Sequence, residues 1–211
     1  MAKNSLERDR KMDYGIIRGH LNNMIDNFLS YTLTRTTSIT RYNTRKFIIK
    51  QNVAEHAGNT TMIAMVFSDY FNSIGIKNDT EMVMRMAITH DNDEVVSGDL
   101  PHPAKYQYGD KSDKLRKAVD ELNENIIEYM YGMIPHAELQ KLYKENYRIY
   151  KKRKAIESKI VKLADCTDVI IYANNEIALG NKTTILEKRG ATGRFNKLLK
   201  EIITNRDSSG N

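Results

Sequence analysis

Two short clusters and one isolated aspartate hold the residues best suited to chemistry. The first cluster is Asn52-Val53-Ala54-Glu55-His56. The second is His90-Asp91-Asn92-Asp93-Glu94, followed by Ser97-Gly98-Asp99-Leu100-Pro101-His102-Pro103-Ala104-Lys105. Imidazole and carboxylate are the donors that borderline and hard divalent ions accept. An adjacent His-Asp pair can serve one ion only if the backbone turns both side chains to the same side. A second histidine from another helix and one more carboxylate would complete a four-ligand set with room left for water. The stretch reads as the start of a metal-dependent hydrolase site. Asp165 is a further carboxylate of interest. Its neighbours Ile160, Val161, Leu163, Ala164, Val169 and Ile170 make a mostly apolar helix, where a lone carboxylate would be costly to bury. It must be paired or coordinated. Plainer readings stay open from residue types alone. A histidine on a half-apolar helix can be hydrogen-bonded filler, Asp165 could pair with Lys162 or a distant arginine, and Glu94 could be a solvated charge at a helix end.

Three helices must bring these residues together, and hydrophobic spacing supplies them. A helix over 53–74 carries His56 near its start, with Val53, Ala57, Ala64, Phe67 and Phe71 along it, and Gly75 stops it. Asp79 or Thr80 caps the next, which runs through Met82, Val83, Met86 and Ala87 to His90. The segment 151–179 is one long helix or two abutting ones, ended by Gly180, and carries Asp165. Helix positions converging on one point are an ordinary way to build a metal site in a bundle. Elsewhere, 14–33 reads as a helix and 32–44 as an irregular connection holding Arg41-Tyr42. Gly98, Pro101 and Pro103 force a loop up to Gly109. Helices are expected over 111–131 and 135–150, with a last one over 183–204 interrupted near Gly190 and Gly193. No strand-period segment and no internal repeat stand out.

The length of 211 residues suits one domain with a real core. We expect it over 14–204, with a flexible lead-in at 1–13 and a polar tail at 205–211. The single cysteine, Cys166, rules out an internal disulfide and suits a reducing compartment. No apolar run approaches the ~20 residues of a membrane span. The first eleven residues are charged and lack the apolar core of a signal peptide. The cytoplasm is the expected location, with no membrane partner. The net charge of +6 suits an anionic partner, although lysines spread over helix surfaces would give the same excess. No basic-aromatic module of a nucleic-acid-binding type occurs, so nucleic acid is not expected as a partner.

The ordered set of motifs resembles the HD-domain phosphohydrolases and, within them, the bacterial 5′-deoxynucleotidase branch. The matching residues are Asn52 to His56, His90-Asp91 with Glu94, Gly98-Asp99-Leu100-Pro101 with Pro103 and Lys105, and Lys162 to Asp165. Arg41-Tyr42, fifteen residues before His56, stands where that branch carries Arg-Trp. The resemblance implies an all-α HD-domain helical bundle with the metal site between core helices, and a homodimer or higher homo-oligomer. It makes His56, His90, Asp91 and Asp165 the ligands of one divalent ion, whether Co, Mn, Zn or Mg. Two departures bear on the substrate. Tyr42 replaces the tryptophan, and His102 stands between the prolines in place of a small hydroxyl residue.

Roles for the remaining residues follow from that assignment. Glu94, one turn after His90-Asp91, would orient or deprotonate water. Asp99 would protonate the leaving 5′ oxygen or position the sugar. Arg41 and Lys105 would neutralise phosphate charge, and Tyr42 would pack against sugar or base. The expected function is removal of the 5′-phosphate from deoxyribonucleoside 5′-monophosphates, so the expected partner is a deoxynucleotide substrate. The alternative is a deoxynucleoside triphosphate triphosphohydrolase. A non-catalytic nucleotide-binding protein and an alarmone hydrolase fit less well: the ligand set is complete, and the Gly-Asp-Leu-Pro loop points to the nucleotidase branch.

Overall fold

Residues 14–101, 104 and 108–208 are described in the structure, a computed structural model, with the side chains of 205–208 excepted. The elements are α1 (Tyr14–Met24), a π-helical turn (Ile25–Leu29), α2 (Ser30–Ser38), α3 (Val53–Ser73), α4 (Thr80–Thr89), α5 (Glu94–Ser97), α6 (Asp110–Gly132), α7 (Ala137–Lys152), α8 (Ile156–Ala178), a 3-10 turn (Lys182–Thr184) and α9 (Ile185–Ser208). Among the described residues the only extended pairing is a bridge between Thr40 and Asn52. It closes the base of the 40–52 loop, where Arg41 N–H bonds the Gln51 carbonyl at 2.9 Å and Val53 N–H the Ile39 carbonyl at 3.1 Å.

Local chemistry starts the two histidine-bearing helices where the site needs them. Asn52 Oδ1 accepts from Glu55 N–H at 2.8 Å, and Glu55 Oε2 accepts from Asn52 N–H at 2.9 Å. This reciprocal box satisfies two otherwise orphan donors and fixes the first turn of α3. Glu55 is thus a capping residue, and His56 follows it. Asp79 accepts from Met82 N–H to start α4, which places His90 at the helix end. Gly98 then turns the chain away from α5 at φ 71° and ψ 171°, a conformation open to glycine and strained for other residues.

The α8 helix is the axis of the molecule, packing on α3, α4, α7 and α9. Its Ile160, Val161, Leu163 and Ala164 join Ala64, Phe71, Val83 and Met86 in the main core. Fully burying a side chain such as Leu163 is worth about 1.5–3 kcal/mol. A second core unites Phe28, Val95, Ile127, Met130, Tyr131 and Tyr147 from the N-terminal helical stretch, α5, α6 and α7. The turn after α4 links the two.

A polar line runs along α8 through Asp165, Asp168, Tyr172 and Glu176. The i, i+3, i+7, i+11 spacing puts all four on one face. That face holds the 46–56 segment along its length. Glu176 accepts from the backbone N–H groups of Ile48 at 2.9 Å and Ile49 at 2.7 Å. Tyr172 hydroxyl bonds the Ile49 carbonyl, and Asn181 bridges Glu176 and the Lys46 carbonyl.

The structure departs from the sequence expectations in three places. Helix continues through Ser38, where an irregular connection was expected. The hydroxyls of Thr36, Thr37 and Ser38 bond carbonyls three or four residues back, so they are satisfied without leaving the helix. The 14–33 helix is interrupted by the π-helical turn. The α9 helix runs unbroken through Gly190 and Gly193, because packing on α8, with Ala191 buried, overrides weak propensity. Of the two options for 151–179 the structure shows one long helix, Ile156–Ala178, with Lys151 and Lys152 finishing α7 and Arg153 between the two helices. No helix among the described residues is long and apolar enough to cross a membrane.

Candidate functional site

His56 and His90 face each other beside Asp91 and Asp165, which line a cleft of about 1400 Å³ with Arg41, Tyr42, Glu94 and Asp99 among others. Both histidines are buried. His56 Nδ1 lies 2.6 Å from Asp168 Oδ2, and His90 Nδ1 lies 2.7 Å from the Ala87 carbonyl. Carbonyl and carboxylate only accept, so both Nδ1 atoms carry the hydrogen. The rings therefore turn their Nε2 atoms on each other, 3.2 Å apart. Asp91 Oδ2 lies 3.1 Å from His90 Nε2 and 3.6 Å from His56 Nε2. Asp165 Oδ1 lies 3.4 Å from His56 Nε2.

Four acceptors so placed need positive charge between them. Donors ~2.1 Å from one ion stand roughly 3.0 Å apart along an octahedral edge and roughly 3.4 Å along a tetrahedral one. The His90–Asp91, His56–His90 and His56–Asp165 separations of 3.1, 3.2 and 3.4 Å fall within this range, and His56–Asp91 at 3.6 Å lies just beyond it. His56, His90 and Asp165 can each offer an atom within 4.8 Å of the others. The donor set thus fits a divalent ion, and the hydrogen bonds at Nδ1 are the kind that orient metal-binding imidazoles. The site's own field asks for the same charge. Burial works against a charged His90, yet Asp91 and Asp165 outweigh it and hold the ring above its ordinary range. Burial opposes ionised Asp165 too, and Lys162, then His56, hold it well below the carboxylate range.

Asp165 unites two readings that the sequence left as alternatives. Its Oδ2 pairs with Lys162 Nζ, while Oδ1 turns to His56. Within the second cluster the residues divide. Asn92 bonds Tyr131 hydroxyl at 3.3 Å, and buried Asp93 accepts from Asn123, Tyr147 and Lys151. His90 meets Asp91 in the His-Asp cluster, and Asp91 and Glu94 line the cleft. Glu94 Oε2 is buried without a hydrogen-bond partner among the described residues. Burial first, then Asp91 and Asp99, push its carboxyl well above the usual range.

The 40–52 loop brings in Arg41 and Tyr42. Arg41 Nη1 is 3.3 Å from Gln51 Oε1 and 3.7 Å from Asp168 Oδ2. Burial disfavours its charge, but Tyr42, Asp91, Asp165 and Glu94 keep it firmly cationic. Tyr42 has φ 56°, and its N–H donates to Asp99 Oδ2 at 2.8 Å. Its ring stacks on Tyr172 with centroids 5.7 Å apart and planes 6° from parallel. Asp99 therefore ties the Gly-Asp-Leu-Pro loop to the Arg41-Tyr42 turn. Lys105 and His102 lie outside the described residues.

Sequence reasoning missed Asp168. It accepts from Gln51 and Asn59 as well as His56, and with burial opposing, these bonds hold it below the usual carboxylate range. The signal was present: Asp165 and Asp168 are i, i+3 on one apolar helix, so two carboxylates on one face both required partners.

The fold and this His-Asp cluster together define an HD-domain phosphohydrolase. Solved structures agree on the fold. An HD-domain phosphohydrolase from Listeria innocua superposes with a TM-score of 0.67 at 22% identity, covering 86% of this chain and 89% of that one. A conserved hypothetical protein from Pyrococcus furiosus gives 0.66 at 24% identity, covering 86% and 97%. Residues 27–203 match the family model for 5′-deoxynucleotidase YfbR-like proteins, and the chain belongs to that family. It is similar to 5′-deoxynucleotidase YfbR from Escherichia coli O127:H6, 28% identical over 159 residues, which are 74% of this chain and 76% of that protein. A 5′-deoxynucleotidase from Vibrio vulnificus is 28% identical over 161 residues, 74% and 78% of the two chains.

Proposed function

We propose that this enzyme removes the 5′-phosphate from deoxyribonucleoside 5′-monophosphates, using a divalent ion held by His56, His90, Asp91 and Asp165. The observation that carries the metal site is the set of four acceptors, each 3.1–3.4 Å from at least one other, with both Nδ1 atoms already engaged. When bound, such an ion polarises a phosphoryl oxygen and lowers the pKa of water from ~15.7 towards ~7. Glu94, buried and raised in pKa, takes the proton from the attacking water, since a base poised nearer neutrality does this best. Arg41, cationic and anchored by Gln51, neutralises the phosphate. Asp99 commits Oδ2 to Tyr42 N–H, and we assign Oδ1 to the sugar or the leaving 5′ oxygen. Lys105 adds a further positive charge to the phosphate. The chain works in the cytoplasm as a homodimer or higher homo-oligomer on this reading.

Deoxyribose preference follows from a packed sugar pocket beside Tyr42. Leaving a 2′-hydroxyl unpaired there costs about 1–3 kcal/mol, or roughly five- to 150-fold in kcat/KM. The test is kcat/KM for matched ribo and deoxy monophosphates. A deoxy preference in that range is expected, and equal values would remove the pocket. A second reading, release of triphosphate from deoxynucleoside triphosphates, draws on the cleft. Its volume of about 1400 Å³ exceeds the ~300–1,000 Å³ of ordinary small-molecule sites. Identifying the product as phosphate or triphosphate decides between the two.

A further inference from the structure

Two residues other than glycine have positive φ among the described residues, Tyr42 and Arg153, and both line the cleft. Tyr42 belongs to the turn held by Asp99. Arg153 has no part in the mechanism above. It ends α7 at φ 54° and ψ 25°, a left-handed conformation that glycine adopts without steric cost and that terminates many helices. A long cationic side chain is disfavoured there, and strain of this kind gathers at functional sites. The guanidinium carbon sits 4.2 Å from the centroid of the Tyr150 ring. Nη1 is buried and has no hydrogen-bond partner among the described residues, whereas buried polar groups are nearly always bonded. Burial disfavours the charge, but Tyr150 and the neighbouring Asp165 and Asp91 hold Arg153 cationic. A permanent charge with an unused N–H therefore lies beside the acidic cluster.

We propose that Arg153 is a phosphate-binding residue, its Nη1 taking a non-bridging oxygen of the substrate's phosphoryl group. It would approach from the α7–α8 corner while Arg41 approaches from the 40–52 loop. A planar guanidinium stacked on an aromatic ring is pre-set to meet a tetrahedral dianion, which a flexible ammonium is not. The inference rests on the phosphohydrolase reading of the site but not on the identity of the nucleoside.

The experiment is calorimetric titration of the metal-loaded full chain with inorganic phosphate, in wild type, Arg153→Gly, Arg153→Gln and Arg153→Lys. It is run beside kcat and KM for a deoxynucleoside 5′-monophosphate. Glycine removes the side chain and relaxes the backbone. Glutamine keeps much of the stem over Tyr150 without charge, should glycine loosen α7. Phosphate affinity is expected to fall roughly 10- to 100-fold in the glycine and glutamine variants, with KM raised and partial recovery in Arg153→Lys. Unchanged phosphate affinity in a folded glycine or glutamine variant overturns the inference and leaves the hydrolase intact. Phosphate binding that depends on Arg153, in a wild type that cleaves no deoxynucleotide, supports the inference and removes the substrate reading.

Discussion

The polar face of α8 has two ends, built from similar residue types and put to different uses. At the Glu176 end, a fully buried carboxylate meets donors: two backbone N–H groups and the Asn181 amide. At the Asp165 end, acceptors meet acceptors. Two imidazole Nε2 atoms stand 3.2 Å apart, with Asp91 and Asp165 oxygens beside them. A buried polar group with its partners in place holds the chain together. One that faces its own kind needs a ligand, and here the separations match the edges of a metal's coordination shell. Asp168 stands between the ends and serves both, gripping Gln51 of the loop and orienting His56.

Substitutions should separate the two ends, with effects on turnover that shrink from the Glu94 side to the Glu176 side. Glu94→Gln should lower kcat by about 10²–10⁴-fold while metal content stays at the wild-type level. Loss of metal in this variant would instead make Glu94 a ligand. Asp168→Ala frees the His56 ring and should weaken metal affinity by about 10–100-fold. Titrating activity against added metal checks this, because excess metal should restore most of the turnover. No shift in the metal-activation curve would show that His56 is held by other means.

Glu176→Ala should leave kcat nearly unchanged in the folded protein and lower stability by about 1.5–3 kcal/mol, the range for hydrogen bonds to a charged group. Although burial alone would raise it, the Ile48 and Ile49 N–H bonds hold the Glu176 carboxyl below its ordinary value of 4.5. A group depressed in the folded state stabilises fully above the unfolded value, and its contribution fades as pH falls through the folded one. The stability gap between wild type and Glu176→Ala should therefore narrow below about pH 4.5. Denaturant melts at neutral and acid pH measure it, and a gap that widens in acid would reverse the assignment.

Much of the site was legible in the sequence because its residues come in an ordered set. His56, His90, Asp91 and Asp165 were all named, and the structure brings all four together. The helices bearing them were legible from apolar spacing and from the Asp79 cap. What escaped depends on contacts between distant parts of the chain. Asp168 and Glu176 face a loop more than 100 residues earlier; the i, i+3 spacing from Asp165 marks Asp168 as needing a partner, but nothing local says which. The backbone of Arg153 takes its left-handed form where α7 and α8 part, close to the helix boundary expected after Tyr150, but nothing local marks its positive φ. Glu55 shows the reverse. It stood beside His56 as part of a chemical cluster, and its work is to cap α3.

Metal content and turnover measured together in His90→Ala probe the site most directly. This variant removes one donor while Asp165 keeps its partner Lys162. Wild type and variant would be stripped with chelator, reloaded with Co, Mn, Zn or Mg, and assayed by elemental analysis and by phosphate release from a deoxynucleoside 5′-monophosphate. One ion per chain in wild type, with both ion and phosphate release lost in a variant that keeps its helical circular dichroism, is the expected result. Wild-type metal content and wild-type turnover in His90→Ala would contradict the metal centre described here.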